Sequence, residues 1–259
     1  MFWRLIDDIP RKAFFNMALD EAISESVKNR LSPPTLRLYL WSEPSVSIGY
    51  FQKTSEINVE YCEGKGYPIV RRSTGGTAIL HDSEITYSLS ARTDIEPFRK
   101  GLLQNYMAIS NALVSALRQF NLNAEISKSK NRGQRAPLCF KTSSYGEISV
   151  NGQKIIGSAQ RRYKECFLQQ GTILFDLNER ELIRVIRQKS GASDVSEIGT
   201  ITKFDPSVTV KNLKNTLKNS FENIFNIQFA LEGPTEFEMN LAGKLEAEKY
   251  STKNWNYFR

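Results

Sequence analysis

The chain has 259 residues, 40% hydrophobic and 24% charged, a composition that excludes collagen-like, disordered and disulfide-framework proteins. No stretch approaches the ~18 consecutive apolar residues of a membrane span, and Asp7 and Asp8 lie where a signal peptide would be apolar. The formal net charge of +7 favours acidic partners, either nucleic acid or acidic proteins.

The cysteine and histidine content restricts the chemistry further. Three widely spaced cysteines without a CxxC pair argue against a disulfide framework and a structural zinc site, and they favour a reducing compartment. We therefore expect a cytoplasmic protein. The single histidine, His81, excludes multi-histidine metal sites, and we expect neither a metal ion nor a cofactor.

Apolar spacing predicts both helices and strands in the first half of the chain. A stripe with helical period covers one segment, and alternation of apolar and polar residues resumes after Pro33 and Pro34. The predicted elements are a helix at 16–28, alternating residues from 36 to 49, strands at 68–72, 78–81 and 85–89, and an amphipathic helix at 102–120.

The second half begins with the segment 127–137, whose four basic residues and lack of an apolar period predict a mobile loop. Asn151 and Gly152 predict a hairpin turn, and Thr235 with Glu238 matches a helix capping box. The remaining predicted elements are strands at 147–150, 154–157 and 167–175, and helices at 181–189, 211–225 and 236–249.

This order of elements predicts an α+β fold, in which a mixed sheet is flanked by helices. We expect one catalytic-sized domain over residues 1–259. Its core spans about 33–225, and a helical tail covers about 233–259.

The first candidate site is RRSTGGTAILHD, residues 71–82. Gly75 and Gly76 let backbone amides approach a ligand closely, and Arg71 and Arg72 add positive charge, which suits an anionic or carbonyl-bearing ligand. The alternative is a hairpin whose glycines only satisfy turn geometry. Since no GxSxG motif accompanies His81, we expect this residue to form hydrogen bonds within the glycine-loop region rather than to join a serine triad.

The second candidate is NGQKIIGSAQRR, residues 151–162, where Lys154 begins a strand beside the small residues Gly157, Ser158 and Ala159. A lysine whose stem crosses apolar neighbours can present its ammonium to a cleft, where it polarises a carbonyl or stabilises a thiolate. The alternative is a solvated lysine at the end of a strand.

The third candidate is Cys139, which follows the basic segment. Nearby cations favour the thiolate, which is the nucleophilic form of cysteine. The alternative is a small buried hydrophobic residue, which is also what we expect of Cys62 and Cys166. The basic segment lacks interleaved aromatic residues for base stacking, so a protein-docking or solvated role is at least as well supported as nucleic-acid binding.

Together these motifs resemble those of the biotin/lipoate protein ligase and octanoyltransferase superfamily. RRSTGGTAILHD is similar to its RRxxGGxAVxHD signature, and VNGQKIIGSAQRR to its lysine-bearing strand. QQGTILFDL and KYSTKNWNYFR also fit, so the resemblance runs from about Trp3 to Arg259. It implies a fold of the class II aminoacyl-tRNA synthetase/biotin synthetase type.

Within the superfamily, CFKTSSYGEISVNGQK is most similar to the octanoyltransferase branch. The resemblance implies that Cys139 is the acyl-accepting nucleophile and that Lys154 activates it. The sequence departs from the CFxxxSxYE pattern in having Gly146 between Tyr145 and Glu147. The substrate-binding residues that the resemblance implies are Arg71, Arg72, Gly75, Gly76, His81, Gly157, Ser158 and Ala159.

The implied reaction moves an octanoyl group from acyl carrier protein to Cys139 and then to a lysine of an apo lipoyl domain, such as glycine-cleavage H protein. It needs no ATP, since an amide is more stable than a thioester, and Leu, Ile and Val of the sheet would line the acyl tunnel. Neither nucleic acid nor a membrane takes part. The alternatives are an ATP-dependent lipoate ligase, which would not require Cys139, and an amidotransferase between carrier proteins. A further alternative, a nucleic-acid-binding protein, is supported only by the net positive charge.

Overall fold

The structure is a computed structural model that describes residues 2–127, 146–187 and 196–259. Its strands are β1 (Phe2–Asp7), β2 (Thr35–Tyr39), β3 (Ser45–Ile48), β4 (Ile69–Arg71), β5 (Ile79–His81), β6 (Glu84–Arg92), β7 (Ala124–Ile126), β8 (Ile148–Val150), β9 (Gln153–Arg162), β10 (Cys166–Leu174) and β11 (Gln228–Leu231). Its helices are α1 (Ala13–Lys28), α2 (Val59–Lys65), α3 (Leu102–Arg118), α4 (Glu179–Arg184), α5 (Ile201–Phe204), α6 (Val210–Phe225), α7 (Glu236–Leu245) and α8 (Lys253–Asn256), with a π-helical turn (Glu246–Tyr250) after α7.

Among the described residues, the main sheet has eight strands in the order β11-β1-β2-β6-β10-β9-β8-β7. β1 is parallel to both of its neighbours, and the other pairs are antiparallel. Apolar residues of α3 and α6 pack on one face in the largest core, and α1 covers the other face in a separate cluster. The sheet is therefore mixed and flanked by helices, which confirms the predicted α+β class.

A second sheet, of order β4-β3-β5, carries the first candidate motif and packs with α2 and α4 in a third apolar cluster. The alternating residues 36–49 thus divide between two sheets: β2 ends at Tyr39, and β3 begins at Ser45 in the small sheet. Pro44 lies in the connection, where a residue without an N–H group cannot continue a strand ladder.

The predicted hairpin turn and the predicted capping box are both confirmed. Asn151 and Gly152 adopt φ values of +50° and +80°, the left-handed conformations of a tight hairpin turn between β8 and β9. Thr235 Oγ1 accepts from the Glu238 N–H at 3.2 Å, and the Glu238 side chain accepts from the Thr235 N–H at 2.8 Å, which completes the capping box of α7.

Packing extends outside the range 33–225 that the sequence predicted for the core. Trp3 in β1 and Phe229 in β11 join the largest cluster, and Ala18 in α1 is fully buried in the cluster that α7 completes. In the described part of the chain, no helix has the length and apolar character that a membrane crossing requires.

Candidate active site

A β-bulge in β9 decides which face of the sheet Lys154 occupies. Ser149 pairs with Lys154, but Ile148 pairs with Ile156, so Ile155 is an extra residue in β9. Ile155 and Ile156 both lie in the core on the α3 side of the sheet. Because successive strand residues otherwise alternate between faces, the bulge turns Lys154 to the opposite face.

Lys154 is buried, with 5% of its surface exposed, and its Nζ donates to Glu147 Oε1 at 2.5 Å. Its backbone N–H donates to the Glu197 carbonyl at 2.7 Å, and its own carbonyl accepts from the Gly199 N–H at 2.9 Å. The lysine is therefore held on both sides and carries a carboxylate partner. It is not a solvated residue at a strand end.

Glu147 lies where the described chain resumes after residue 145, and its backbone is fixed to neighbouring elements. The Gly146 N–H donates to the Ser127 carbonyl at 2.9 Å, and the Ser127 N–H donates to the Glu147 carbonyl at 2.8 Å. Ser110 of α3 donates its hydroxyl to the Gly146 carbonyl at 3.0 Å. The partner of Lys154 is thus anchored to both the sheet edge and α3.

Gly146, the departure from the family pattern, is required by its surroundings. Its φ is +87°, and a Cβ at this position would lie 2.5 Å from Cε1 of Tyr106. Tyr106 in turn donates its hydroxyl to the Ser158 carbonyl at 3.0 Å, so its ring lies between the Gly146 turn and β9. A glycine lets this ring pass close to the backbone.

Cys139 and residues 128–137 of the predicted basic loop lie outside the described residues, and the nucleophilic role of Cys139 stays a prediction. The two described cysteines, Cys62 and Cys166, are buried free thiols. Burial raises the pKa of Cys62 to about 11 and also raises the pKa of Cys166. Both behave as the small buried residues that the sequence predicted.

A narrow cavity lies between α1, the small sheet and the paired strands β9 and β10. Five of the predicted substrate-binding residues lie on its wall, although the sequence separates them into two motifs: Arg72, His81, Gly157, Ser158 and Ala159. Met17, Tyr39, Trp41 and Ile79 add apolar surface, and the open volume is about 20 Å³. Aromatic and small side chains therefore dominate the wall of this cavity.

His81 is fixed by partners other than the glycine loop. Its ring stacks on Trp41, with centroids 3.8 Å apart and planes inclined by 12°. Nε2 and Ser47 Oγ are 2.7 Å apart, and Nδ1 is hydrogen-bonded to Glu84. With both nitrogens partnered, the imidazole forms a rigid part of the cavity wall.

Ser47, His81 and Glu84 follow the hydroxyl–imidazole–carboxylate order of a serine hydrolase. Ser47 Oγ, however, also accepts a hydrogen bond from Arg72 Nη1 at 3.0 Å. Because a hydrogen bond donated by a guanidinium withdraws electron density from the hydroxyl oxygen, we assign Ser47 to the cavity wall, beside His81, and not to a nucleophile. Glu84 is the hydrogen-bond partner of His81.

Arg72 holds the glycine loop. Its Nη2 donates to the carbonyls of Gly75 and Thr77, both at 2.8 Å. Gly76 has a φ of +86°, and a Cβ there would lie 2.8 Å from the same Nη2, whereas a Cβ at Gly75 would meet nothing within 4 Å. Turn geometry therefore explains why position 76 is a glycine, but it does not explain the glycine at position 75.

Arg71 is adjacent in sequence but is not on the wall of this cavity. Its guanidinium donates to backbone carbonyls, including those of Gly49 at 2.8 Å and Asn256 at 3.0 Å, and so joins β4 to α8. Burial, together with two neighbouring guanidinium groups, lowers the pKa of Arg71 to about 10. Its contacts are those of a residue that organises the chain around the site.

The structure also supplies residues that the sequence analysis missed: Glu147, Trp41, Ser47 and Glu84. Glu147 was within reach of prediction, since it is the first residue of a predicted strand and belongs to the quoted motif. Within the described ranges, no group of three or more His, Cys, Asp or Glu side chains is arranged to hold a metal ion.

Comparison with known proteins gives one family. The model of the lipoyl protein ligase A/B catalytic domain matches residues 12–222. Octanoyltransferase LipM of Carboxydothermus hydrogenoformans is 34% identical, covering 98% of this chain and 97% of that protein. Octanoyltransferase LipM of Bacillus subtilis is 32% identical, covering 99% and 98%.

Two solved structures of similar fold are lipoate protein ligases. A crystal structure of lipoate-protein ligase A bound with ATP superposes with a TM-score of 0.85 at 27% identity, covering 99% of each chain. A bi-partite lipoate protein ligase from Thermoplasma acidophilum, solved in a study of its E2 lipoyl domain, gives 0.83 at 26% identity, covering 99% of this chain and 96% of that chain.

Proposed function

The chain belongs to the lipoyl protein ligase A/B catalytic-domain family, and we propose that it acts there as an octanoyltransferase of lipoate biosynthesis. The observation that carries the proposal is near-full-length similarity, at 32–34% identity, to proteins named octanoyltransferase. The buried Lys154–Glu147 pair, on the sheet face that also lines a narrow cavity, supports it.

The proposed donor is octanoyl-acyl carrier protein, and the proposed acceptor is a lysine of an apo lipoyl domain such as glycine-cleavage H protein. Both are proteins, so both must deliver a reacting group to one site. The net charge of +7 suits acidic partners, since complementary charge speeds encounter and fixes orientation.

In the first half-reaction, the Cys139 thiolate attacks the carbonyl carbon of the donor thioester. A new C–S bond forms to Cys139, the C–S bond to the carrier breaks, and the carrier thiolate takes up the proton that Cys139 lost. The Lys154 ammonium stabilises both the attacking thiolate and the negative charge that develops on the carbonyl oxygen.

In the second half-reaction, the neutral amine of the acceptor lysine attacks the octanoyl-Cys139 thioester. The C–N bond forms as the C–S bond breaks, and the proton lost by the amine returns Cys139 to its thiol. Because the amide is more stable than the thioester, transfer proceeds without ATP. Dividing the transfer into two steps is covalent catalysis.

The acyl chain is proposed to enter the cavity beside β9. Gly157, on the cavity wall, lies three residues beyond Lys154 in the same strand, so a chain in the cavity would run along β9 with its carbonyl toward Lys154. An open volume of about 20 Å³ holds about one water molecule, so chain binding requires wall side chains to move apart.

The test is the intact mass of the protein after mixing with octanoyl-acyl carrier protein and no ATP. The proposal expects a hydroxylamine-labile octanoyl adduct that maps to Cys139 and disappears when apo H protein is added. Absence of the adduct, together with ATP-driven lipoylation from free lipoate, would establish a ligase instead.

The same reaction distinguishes the amidotransferase alternative. With octanoylated H protein as the only donor, a transferase that uses carrier-protein thioesters leaves the amide intact. An amidotransferase loads Cys139 from it and passes the group to a second apo lipoyl domain.

A further inference from the structure

Glu147 provides the carboxylate that faces the ammonium of Lys154. The two side chains are 7% and 6% exposed, and Nζ and Oε1 are 2.5 Å apart. An ammonium has three N–H donors, and one of them is committed to this carboxylate. The orientation of Lys154 is therefore tied to the position of Glu147.

Glu147 cannot shift independently of its surroundings. Its carbonyl accepts from the Ser127 N–H, while the preceding residue, Gly146, is bonded to both Ser127 and Ser110. The bulge at Ile155 fixes the other partner, because it sets the face on which Lys154 emerges. Two separately anchored backbones thus meet at one short ion pair.

We propose that Glu147 is a positioning residue for the transfer reaction: its carboxylate holds the Lys154 ammonium where the nucleophilic sulfur and the developing oxyanion need it. This rests on the proposed function. Loss of one partner of a buried ion pair is costly, so the lysine side chain turns toward other acceptors once the carboxylate is removed.

The variants are Glu147→Gln, which keeps shape but removes charge, and Glu147→Asp, which keeps charge on a shorter stem. The matched control is Glu125→Gln, the same change at an exposed carboxylate on neighbouring β7. The measurements are the single-turnover rate of acyl-enzyme formation, with Cys139 mapped by mass, and kcat and KM for the donor carrier protein.

Glu147→Gln is expected to lower kcat by about 100-fold, the loss typical of a catalytic group misplaced by ~1 Å. KM should stay the same, since both side chains of the pair are buried. Glu147→Asp should recover part of the rate, and Glu125→Gln should match wild type. Equal far-ultraviolet circular dichroism and equal urea midpoints identify folded variants.

Lys154→Met completes the test through a double-mutant cycle. If Glu147 acts through Lys154, adding Glu147→Gln to Lys154→Met lowers the rate no further. Two results would overturn the positioning role while the proposed function stands. One is a double variant whose loss of rate equals the product of the two single losses, and the other is a Glu147→Gln rate within about twofold of wild type. A wild-type protein that forms no adduct on Cys139 would instead overturn the proposed function.

Discussion

Arg4 in β1 and Glu238 in α7 form a buried ion pair across 234 residues of sequence, with N–O distances of 2.9 and 2.5 Å. Glu238 also accepts from Ser32 at 3.0 Å and caps α7 through Thr235. One carboxylate therefore joins the first strand, the connection before β2 and the last long helix.

Glu238→Ala is expected to lower the free energy of unfolding by about 3–5 kcal/mol, since it leaves the buried Arg4 guanidinium without its carboxylate partner and bonded only through Nε to the Thr35 hydroxyl among its side-chain contacts in the described part of the chain. The measurement is urea denaturation followed by tryptophan fluorescence. Glu236→Ala, in the same helical turn but exposed, is the control and should change stability by less than about 1 kcal/mol. Equal effects of the two substitutions would show that the pair contributes little.

Acid should destabilise the protein through Glu238 and Asp8. Burial opposes ionisation of both, but hydrogen bonds from Arg4 hold the pKa of Glu238 below 4.5, and Arg11 and Arg37 hold the pKa of Asp8 below 3.8. A carboxyl whose pKa is lower in the folded state stabilises the fold above its ordinary pKa and loses that contribution as pH falls. Urea midpoints should therefore be level above pH ~5 and fall below about 4.5. Midpoints that rise on acidification would contradict this assignment.

Gly146→Ala should destabilise the protein by about 1–3 kcal/mol and slow acyl transfer. The new methyl group would meet the Tyr106 ring at 2.5 Å, and the φ of +87° is strained for any residue with a Cβ. Gly233→Ala is the control, because a Cβ there meets nothing within 4 Å. Thermal midpoints and single-turnover rates check the prediction, and wild-type values for Gly146→Ala would show that Tyr106 moves freely.

Ala159→Leu should shift acyl selectivity toward chains shorter than eight carbons, because it adds bulk to the cavity wall. A methylene in an apolar pocket changes discrimination by roughly 10–200-fold. The measurement is the ratio of kcat/KM for hexanoyl- and octanoyl-carrier proteins. Ala230→Leu, at the far edge of the main sheet, is the control and should leave the ratio unchanged. An unchanged ratio in Ala159→Leu would place the acyl chain elsewhere.

The sequence predicted those elements whose signals are local. The stripes of α1, α3 and α6 and the Asn151–Gly152 turn depend on residues a few positions apart, and each is confirmed. β1 and β11 were not predicted, since they pair in parallel from opposite ends of the chain and each is short. Their pairing depends on the apolar core around Trp3, whose residues come from distant parts of the sequence. A pattern of neighbouring residues therefore could not predict it.

Five of the residues on the cavity wall were singled out from the sequence, but the separate contacts of neighbouring residues were not predictable. Arg71 and Arg72 are adjacent arginines, yet alternation along the extended chain turns Arg72 to the cavity wall and Arg71 to the carbonyls of Gly49 and of Asn256 in α8. The bulge that turns Lys154 toward the cavity face has no local sequence signal, because it arises from the register between β8 and β9.

Transfer of the acyl group through Cys139 also has a consequence for thiol reactivity. Cys139→Ala should abolish the octanoyl adduct and all transfer without changing the urea midpoint, and Lys154→Met should nearly abolish transfer. Because Lys154 is proposed to favour the thiolate, Lys154→Met should also slow iodoacetamide alkylation of Cys139 at pH 7.

Peptide mapping provides internal controls in the same sample. Cys62 and Cys166 are buried, and burial raises the pKa of both thiols, so both should resist alkylation in every variant. If Cys139 is alkylated at the same rate with and without Lys154, the ammonium does not promote thiolate formation. Its role would then be limited to stabilising the oxyanion. Full activity of Cys139→Ala with lipoate and ATP would exclude transfer through a Cys139 thioester, because a ligase that proceeds through an acyl-adenylate needs no thiol.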